Sequence, residues 1–373
     1  MSTDPIALTR KLLSFNTINP PGSERECAQY LGKILEDSGF TVNKHEFDDT
    51  RASLVASSDG GARVPICFAG HIDTVPLGKA QWSVDPFRGE IDGDRIYGRG
   101  SSDTKGCLAA MMVSAVTLVR KYPGRASVKL VVTAGEETGC QGAMHLAGKK
   151  GALGRAGALV IGEPTSNHPV IAHKGALWVE ASTSGVTAHG SMPHMGVNAI
   201  YKAAGVIQRL QEYDFSVSAD ALLGGPTLNI GTIAGGMNIN SVPDRTEIGI
   251  DIRSIPGQAH HAIMSDLKAW LGEEAGLRKI MDVPGVSTDP GHEWIRQVYD
   301  ILTPVLGERP APRGENYFTD ASVLTPAFGN IPTVILGPGE LQMAHKTDEY
   351  CLISRIQQAI EIYTEIARRW CNL

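Results

Sequence analysis

Three short apolar runs in this chain each lead into a residue that can bind a cation or move a proton. Residues 64–69 run into Gly70-His71, residues 127–133 into Ala134-Gly-Glu136-Glu137, and residues 158–161 into Gly162-Glu163. Runs of this length and character read as buried strands. Between the first two lies a helical pattern over 105–121, with a face rich in Leu, Ala, Met and Val, and a short helix precedes the third. Strands separated by helices restrict the fold to the α/β class with a largely parallel sheet. In such sheets ligand sites form outside the carboxyl ends of the strands. His71, Glu136, Glu137 and Glu163 are therefore expected to converge there.

The flanking segments supply the layers around that sheet. Asp4-Pro5 offers an N-cap followed by a proline at the first helical position. Ser23-x-x-Glu26 reads as a capping box for a helix that Gly39 stops. Strands are expected over 40–47 and 52–57. From residue 176 the pattern changes to a strand (176–183), a helix (198–212), two alternating half-buried strands (227–234 and 246–253), a helix (258–274) and a strand (277–283). That order is βαββαβ, a ferredoxin-like split unit. It reads as an α+β domain, 176–289, inserted into a larger domain made of 1–175 and 290–373. The larger domain resumes with a helix to about residue 306, a strand over 333–336 and a helix over 354–370. A length of 373 residues suits two cores better than one.

Composition removes several function classes. With a net charge of −6 and no basic block, the chain lacks the cationic footprint of a nucleic-acid binder. No apolar run is long enough to span a membrane. Met1-Ser-Thr-Asp-Pro-Ile has no basic stretch followed by an apolar one, so no secretory signal is expected and a cytoplasmic placement is. The cysteines Cys27, Cys67, Cys107, Cys140, Cys351 and Cys371 form no C-x-x-C pair. They read as free thiols and not as a zinc ribbon or a disulfide framework.

The candidate reactive residues are His71, Asp73, Asp103 (in Gly98-Arg-Gly-Ser-Ser-Asp103-Thr-Lys-Gly106), Glu136, Glu137, Glu163 and His345. Two imidazoles with several carboxylates suit Zn²⁺, with Co²⁺ or Mn²⁺ also accommodated. On an extended chain Asp73 shares a face with His71 and can take the N–H of the second ring nitrogen. Taken alone, His-x-Asp fits a structural hydrogen bond equally well. Two metals about 3.5–4 Å apart need a bridging carboxylate, and Asp103, between a glycine-rich turn and a helix, could be that bridge. Adjacent Glu136 and Glu137 cannot point the same way on an extended chain. One can ligate while the other stays free as a general base, the arrangement that metal-assisted hydrolysis requires.

GHIDTVP, GRGSSDTKG, GEETG, GEPT, GVTAHGSMPHMGVNAI and AHKTDE follow one another over nearly the whole chain. In this order they resemble the M20 family of di-zinc amidohydrolases and exopeptidases, which includes acetylornithine deacetylase, succinyl-diaminopimelate desuccinylase, aminoacylase and carboxypeptidase G. The resemblance implies a zinc-exopeptidase-like catalytic domain with an inserted dimerisation or lid domain, and two Zn²⁺ ions for which Co²⁺ or Mn²⁺ can substitute. By it, His71 and Glu163 hold one metal, His345 and Glu137 the other, and Asp103 bridges them. Glu136 is then the general base and Asp73 orients His71. His189, in the inserted domain, reaches across a homodimer to the oxyanion, and Asn240, Arg253 and Gly337 receive the substrate carboxylate. Position 104 is Thr where the family commonly has Met, a position that is not a ligand.

The resulting expectation is hydrolysis of a small N-acyl amino acid, within amino-acid biosynthesis. The Gly337-Pro-Gly339 tail and Phe318-Thr319-Asp320-Ala321, in place of a Gly-Gly-Thr-Ser-Asp run, favour an acetylornithine deacetylase-like activity. Desuccinylase, aminoacylase and carboxypeptidase activities are the alternatives. A catalytically silent binding protein would have lost a ligand or the base, and all seven positions are intact. His45, His168, His194, His260, His261 and His292 read as surface or helix-terminal residues.

Overall fold

In the computed structural model, which describes residues 4–58, 60, 61 and 63–373, the strand Ile66–His71 lies inside a six-stranded sheet. Met1–Thr3, on which the reading of the N-terminus partly rests, lie outside the described residues. The strand order is Thr41–Glu46, Ala52–Ser57, Val128–Thr133, Ile66–His71, Ala158–Ile161, Thr333–Ile335. The last four run parallel, and the first two form an antiparallel edge. Every residue of the Ile66–His71, Val128–Thr133 and Ala158–Ile161 strands is buried, as expected of parallel strands covered on both faces. Register sets the site: His71 pairs with Thr133, and Ala69 with Ile161. The residues that follow these strands therefore leave the sheet along one edge. The α/β class with a mostly parallel sheet is as the sequence implies.

Local sequence explains some element ends and not others. Asp4 caps Pro5–Leu13, its carboxylate accepting from the Ile6 N–H at 2.9 Å. The expected capping box at Ser23-x-x-Glu26 does not form. The helix is Arg25–Glu36, and Glu24 stands at its N-cap without a side-chain cap bond. Glu24 is instead buried and bound by Arg51 Nε and Nη2 at 3.0 and 2.8 Å. A buried guanidinium needs its counter-charge more than the helix needs a cap. Short strands at Arg95–Tyr97 and Tyr350–Leu352, and a helix at Ala321–Ala327 that contains Pro326, have no counterpart in the sequence reading.

The chain divides into two compact units. One holds the described residues up to Ala172, Ser287–Gly314 and Thr319–Leu373, and the other His173–Val286 with Glu315–Phe318. Sequence periodicity put the change at 176 and the return at 290. Glu315–Phe318 joins the second unit through pairings remote in sequence, such as the Lys174 N–H to the Glu315 carbonyl at 3.0 Å. The second unit is an antiparallel sheet ordered Thr227–Gly235, Arg245–Ser254, Gly175–Ser184, Gly276–Val283. Arg245–Ser254 alternates buried with half-exposed residues, so one face is apolar. On that face Leu177, Val179, Ile248, Ile250 and Ile252 pack against Val206 and Leu210 of Ala199–Gln211 and Ile263 and Leu267 of His260–Leu271.

His260 is helix-terminal, as one of its two expected readings has it, but it does not lie on the surface. It is buried, with Nε2 2.7 Å from Ser254 Oγ and Nδ1 2.6 Å from Asp282 Oδ1. Its place at the first turn of an amphipathic helix hid this. All six cysteines are free, and all but half-buried Cys371 are buried. Among the described residues no helix is long and apolar enough to cross a membrane.

Candidate metal centre

Strand ends, a kinked turn and a strained loop bring the acidic residues and two histidines together in the first unit. His71 closes its strand. Its Nδ1 lies 3.0 Å from the backbone carbonyl of Asp73 and 3.5 Å from Asp73 Oδ1. An Nδ1–H donated to that carbonyl leaves Nε2 as the free ligand atom. The Asp73 carboxylate, expected to hold the imidazole, is shared more widely. It accepts from the Glu136 N–H (3.1 Å), the Glu137 N–H (3.2 Å) and Asn19 Nδ2 (2.9 Å). Asp73 thus ties the end of one strand to the loop that follows its neighbour.

Asp103 sits in the kinked turn Ser101–Lys105, at φ −121° and ψ 85°. Its two oxygens face different histidines. Oδ1 is 3.2 Å from His71 Nε2, and Oδ2 is 3.2 Å from His345 Nε2. Glu163 Oε1 stands 4.0 Å from His71 Nε2, and Glu137 Oε2 3.1 Å from His345 Nε2. The donor atoms of His71, Asp103 and Glu163 lie within 4.8 Å of one another, as do those of Asp103, Glu137 and His345. His345 holds a left-handed backbone at φ 63°. That conformation costs a non-glycine residue roughly 1–3 kcal/mol and persists where the surroundings enforce it.

Glu136 belongs to neither group. It is buried, and its carboxylate is not part of either set of converging donor atoms. Burial, reinforced by the nearby Glu163, Glu137 and Asp320, holds its pKa well above the ordinary carboxylate range despite the opposing pull of His71. Glu163 and Glu137 are likewise pushed up by burial. For Asp103, burial is outweighed by hydrogen bonds from His345 and His71, and its pKa falls. Hydrogen bonds to Asp103 and Glu137 lift His345 to about 10. His71 is raised well above its usual value, the carboxylates of Asp103 and Asp73 overcoming its burial.

These residues fit a pair of cations. A single Nε2 on His345 faces two carboxylate oxygens, although one N–H cannot serve both well. Glu137 Oε1 is buried without a hydrogen-bond partner among the described residues. Crowded buried carboxylates are costly unless a cation neutralises them, and this N/O donor set suits Zn²⁺ and its borderline neighbours.

Sequence reasoning missed two members of this cluster. Asp320 is buried, accepts a hydrogen bond from Thr133 Oγ1 and is pushed up to about 6 by burial. Its only sequence signal is an acid at a helix start, and it served there merely as a marker between family branches. Asn19 Nδ2 binds both Asp73 Oδ2 and Thr138 Oγ1, at 2.9 and 2.8 Å; nothing in its surrounding sequence points to that.

The remaining expected site residues are placed as follows. Gly337, in the first unit, has its N–H on Thr165 Oγ1 at 3.0 Å, and its carbonyl accepts from the Asn167 N–H at 2.7 Å. A Cβ there would meet the Glu163 carbonyl oxygen at 2.3 Å. Its need for glycine thus lies in close packing behind Glu163, and its N–H is not left for a substrate. His189, Asn240 and Arg253 belong to the second unit. His189 is exposed, with Nδ1 2.7 Å from Ser191 Oγ and accepting from the Ser191 N–H at 3.2 Å. The proton therefore belongs on Nε2, which is left as a donor. Asn240, also exposed, flanks this loop, and its carbonyl accepts from the Gly190 N–H at 2.7 Å. Arg253 spends Nε and Nη2 on Asp251 Oδ2, at 3.2 and 3.1 Å, and lies 5.8 Å from the Phe318 ring centroid.

Comparison with known proteins adds to this geometry. The family model described as peptidase family M20/M25/M40 matches residues 67–369. An acetylornithine deacetylase of Klebsiella pneumoniae (strain 342) is 32% identical over 374 residues, which cover 94% of this chain and 92% of that one. A solved M20 family metallo-carboxypeptidase from Sulfolobus solfataricus superposes with a TM-score of 0.85 at 20% identity, over 100% of both chains. A Bacillus subtilis protein described as a dinuclear metal-binding peptidase of the M20 family superposes with a TM-score of 0.71 at 16% identity, over 98% of this chain and 97% of that one.

Proposed function

The chain belongs to peptidase family M20/M25/M40 and is a metal-dependent amidohydrolase, and from that premise we propose that it hydrolyses the amide bond of a small N-acyl amino acid, with N-acetylornithine as the leading substrate. The observation that carries the reading is Asp103, whose two oxygens each face a different histidine beside a free, buried Glu136. The acetylornithine deacetylase relative supports the choice of acyl group.

His71, Glu163 and Asp103 would hold one divalent ion, and His345, Glu137 and Asp103 the other, with Zn²⁺ as the natural ion and Co²⁺ or Mn²⁺ as substitutes. Bound there, such ions polarise the scissile carbonyl and lower the pKa of water. Glu136 accepts the proton released as water adds to the carbonyl carbon. It then delivers that proton to the amide nitrogen as the C–N bond breaks, so that acid and free amine leave. Burial, which raises the pKa of this carboxylate, makes it a better proton acceptor than an exposed one. Asp73 keeps His71 and the Glu136 loop in register.

In the second unit, the Nε2–H of His189 donates to the substrate oxygen as it gains negative charge, from the partner subunit of a homodimer. Arg253 retains Nη1 for the substrate carboxylate while Asp251 holds the rest of its fork, and Asn240 provides a further amide. The dimer reading is supported by exposed apolar side chains on this unit, with Tyr201 at 77% and Met237 at 80% exposure, beside the sheet-edge strand Thr227–Gly235. Free buried thiols agree with a cytoplasmic setting.

The test is a panel of N-acetyl, N-succinyl and N-formyl amino acids assayed with Zn²⁺ or Co²⁺. The reading expects N-acetylornithine to give the highest kcat/KM. A clear preference for succinyl substrates would replace the acyl assignment, and no turnover of any member would end the reading.

A further inference from the structure

One buried ion pair lies behind the cation site and takes no part in the chemistry above. Glu349 is completely buried and Arg99 nearly so. Each Glu349 oxygen accepts two hydrogen bonds. Oε2 takes Arg99 Nη1 at 2.6 Å and the Gly100 N–H at 3.0 Å. Oε1 takes the Ser102 N–H at 2.9 Å and the Asp103 N–H at 3.0 Å. The carboxylate thus grips the backbone of the turn that presents Asp103. Arg99 grips the other side, with Nη1 donating to the Lys346 carbonyl at 3.2 Å. Its Nη2 donates to the Pro76 carbonyl at 3.2 Å and the His345 carbonyl at 3.4 Å.

The pair therefore joins the backbones of two separate ligands. One end holds Asp103, shared by both donor groups. The other holds His345, whose left-handed φ of 63° needs enforcement from outside. Two chain segments some 250 residues apart are locked at the distance that puts Asp103 Oδ2 3.2 Å from His345 Nε2. The chemistry of the pair is specific. Four donors converge on Glu349, so only an acceptor with two oxygens fits. The Arg99 fork reaches three carbonyls and a carboxylate, which a lysine ammonium cannot match.

We propose that Glu349 and Arg99 are positioning residues that set the cation affinity of the site by fixing the Asp103 turn against the His345 loop. This deepens the two-ion reading and rests on it. Groups behind metal ligands typically change metal affinity about 10–100-fold when altered.

The test is titration of the metal-free full chain with Zn²⁺ against a competing chelator, by calorimetry, for wild type and Glu349→Gln. Circular dichroism and thermal unfolding in chelator are recorded on the same samples. Glutamine keeps the shape but turns an NH₂ toward two N–H donors. The expected result is a folded variant whose Zn²⁺ affinity is at least about ten-fold lower. A drop in thermal stability alone, with wild-type affinity for two ions, would show a merely structural pair and overturn the proposal. Should Glu349→Gln not fold, Arg99→Lys is read in the same way, with affinity at least ten-fold lower supporting the proposal and wild-type affinity overturning it. A wild-type chain that binds no ion would remove the metal reading and the proposal with it, an outcome distinct from failure of the pair alone.

Discussion

The two units hold their reactive residues in opposite ways. In the unit of the parallel sheet, Asp103, Glu136 and Glu163 are buried, and each donor group is assembled from strand ends and loops fixed by further hydrogen bonds. In the inserted unit, His189 and Asn240 stand exposed on loops with few polar partners. Buried, mutually repelling carboxylates store a demand for positive charge, so that unit is built around an occupant. The exposed imidazole has no such demand. In the proposed function it acts only when a substrate oxygen is placed before it. In the proposed function, the first unit binds the ions and moves the proton, and the second is assigned the recognition of the substrate and of its charge.

The contrast can be broken by experiment. The largest effect is expected for Asp103→Ala, which removes the one residue common to both donor groups. Turnover should fall to background and metal analysis should show loss of both ions; one ion retained at full occupancy would argue against sharing. His189→Ala comes next. Removing an oxyanion donor costs about 10²–10³-fold in kcat, and metal content should stay at the wild-type level, because the residue belongs to the other unit. Loss of metal in that variant would erase the division of labour.

The exposed apolar surface gives a smaller, graded readout. Tyr201→Asp combined with Met237→Asp should convert a dimer to a monomer by light scattering, leave metal content unchanged and lower kcat. An unchanged mass would move the interface elsewhere. The smallest effect contrasts two histidines of the same unit. His173 is fully buried, donates Nδ1–H to the Lys174 carbonyl at 2.8 Å, and is pushed down to about 4 by burial. Because its folded pKa is depressed, the unfolded chain binds more protons between about 6.5 and 4. Stability is therefore present above 6.5 and lost as pH falls through that window, by up to about 1.4 kcal/mol per pH unit. His173→Gln should flatten the acid-side fall in Tm; an unaltered slope would mean that His173 is not its source.

How far the sequence revealed this arrangement follows from the same division. Strands ending in His71, Glu136 and Glu163 were legible, because an uninterrupted apolar run has few alternatives and a polar residue at its exit must face an edge. The alternation in 246–253 gave the sheet of the inserted unit in the same way. Asp320, Asn19 and the Arg99–Glu349 pair were not legible. Each works through partners 54 to 250 residues away, and no local period records such a contact. The expected cap at Ser23 failed for the same reason. Ser23-x-x-Glu26 is a valid local cap signal, but a remote guanidinium, Arg51, claims the neighbouring carboxylate. The Asp73 carboxylate was expected to take the His71 N–H, whereas the short contact of the ring is to the Asp73 backbone carbonyl; the hold of that carboxylate on the Glu136 loop depends on strand pairing and emerges only from the fold.

In the proposed mechanism Glu136 is the free base beside an intact cation site. Glu136→Gln removes the proton acceptor and leaves both donor groups in place, so metal content and kcat measured on one preparation test it most directly. The prediction is wild-type binding of two ions with kcat lowered by about 10²–10⁴-fold. Turnover close to wild type, with both ions bound, would contradict it.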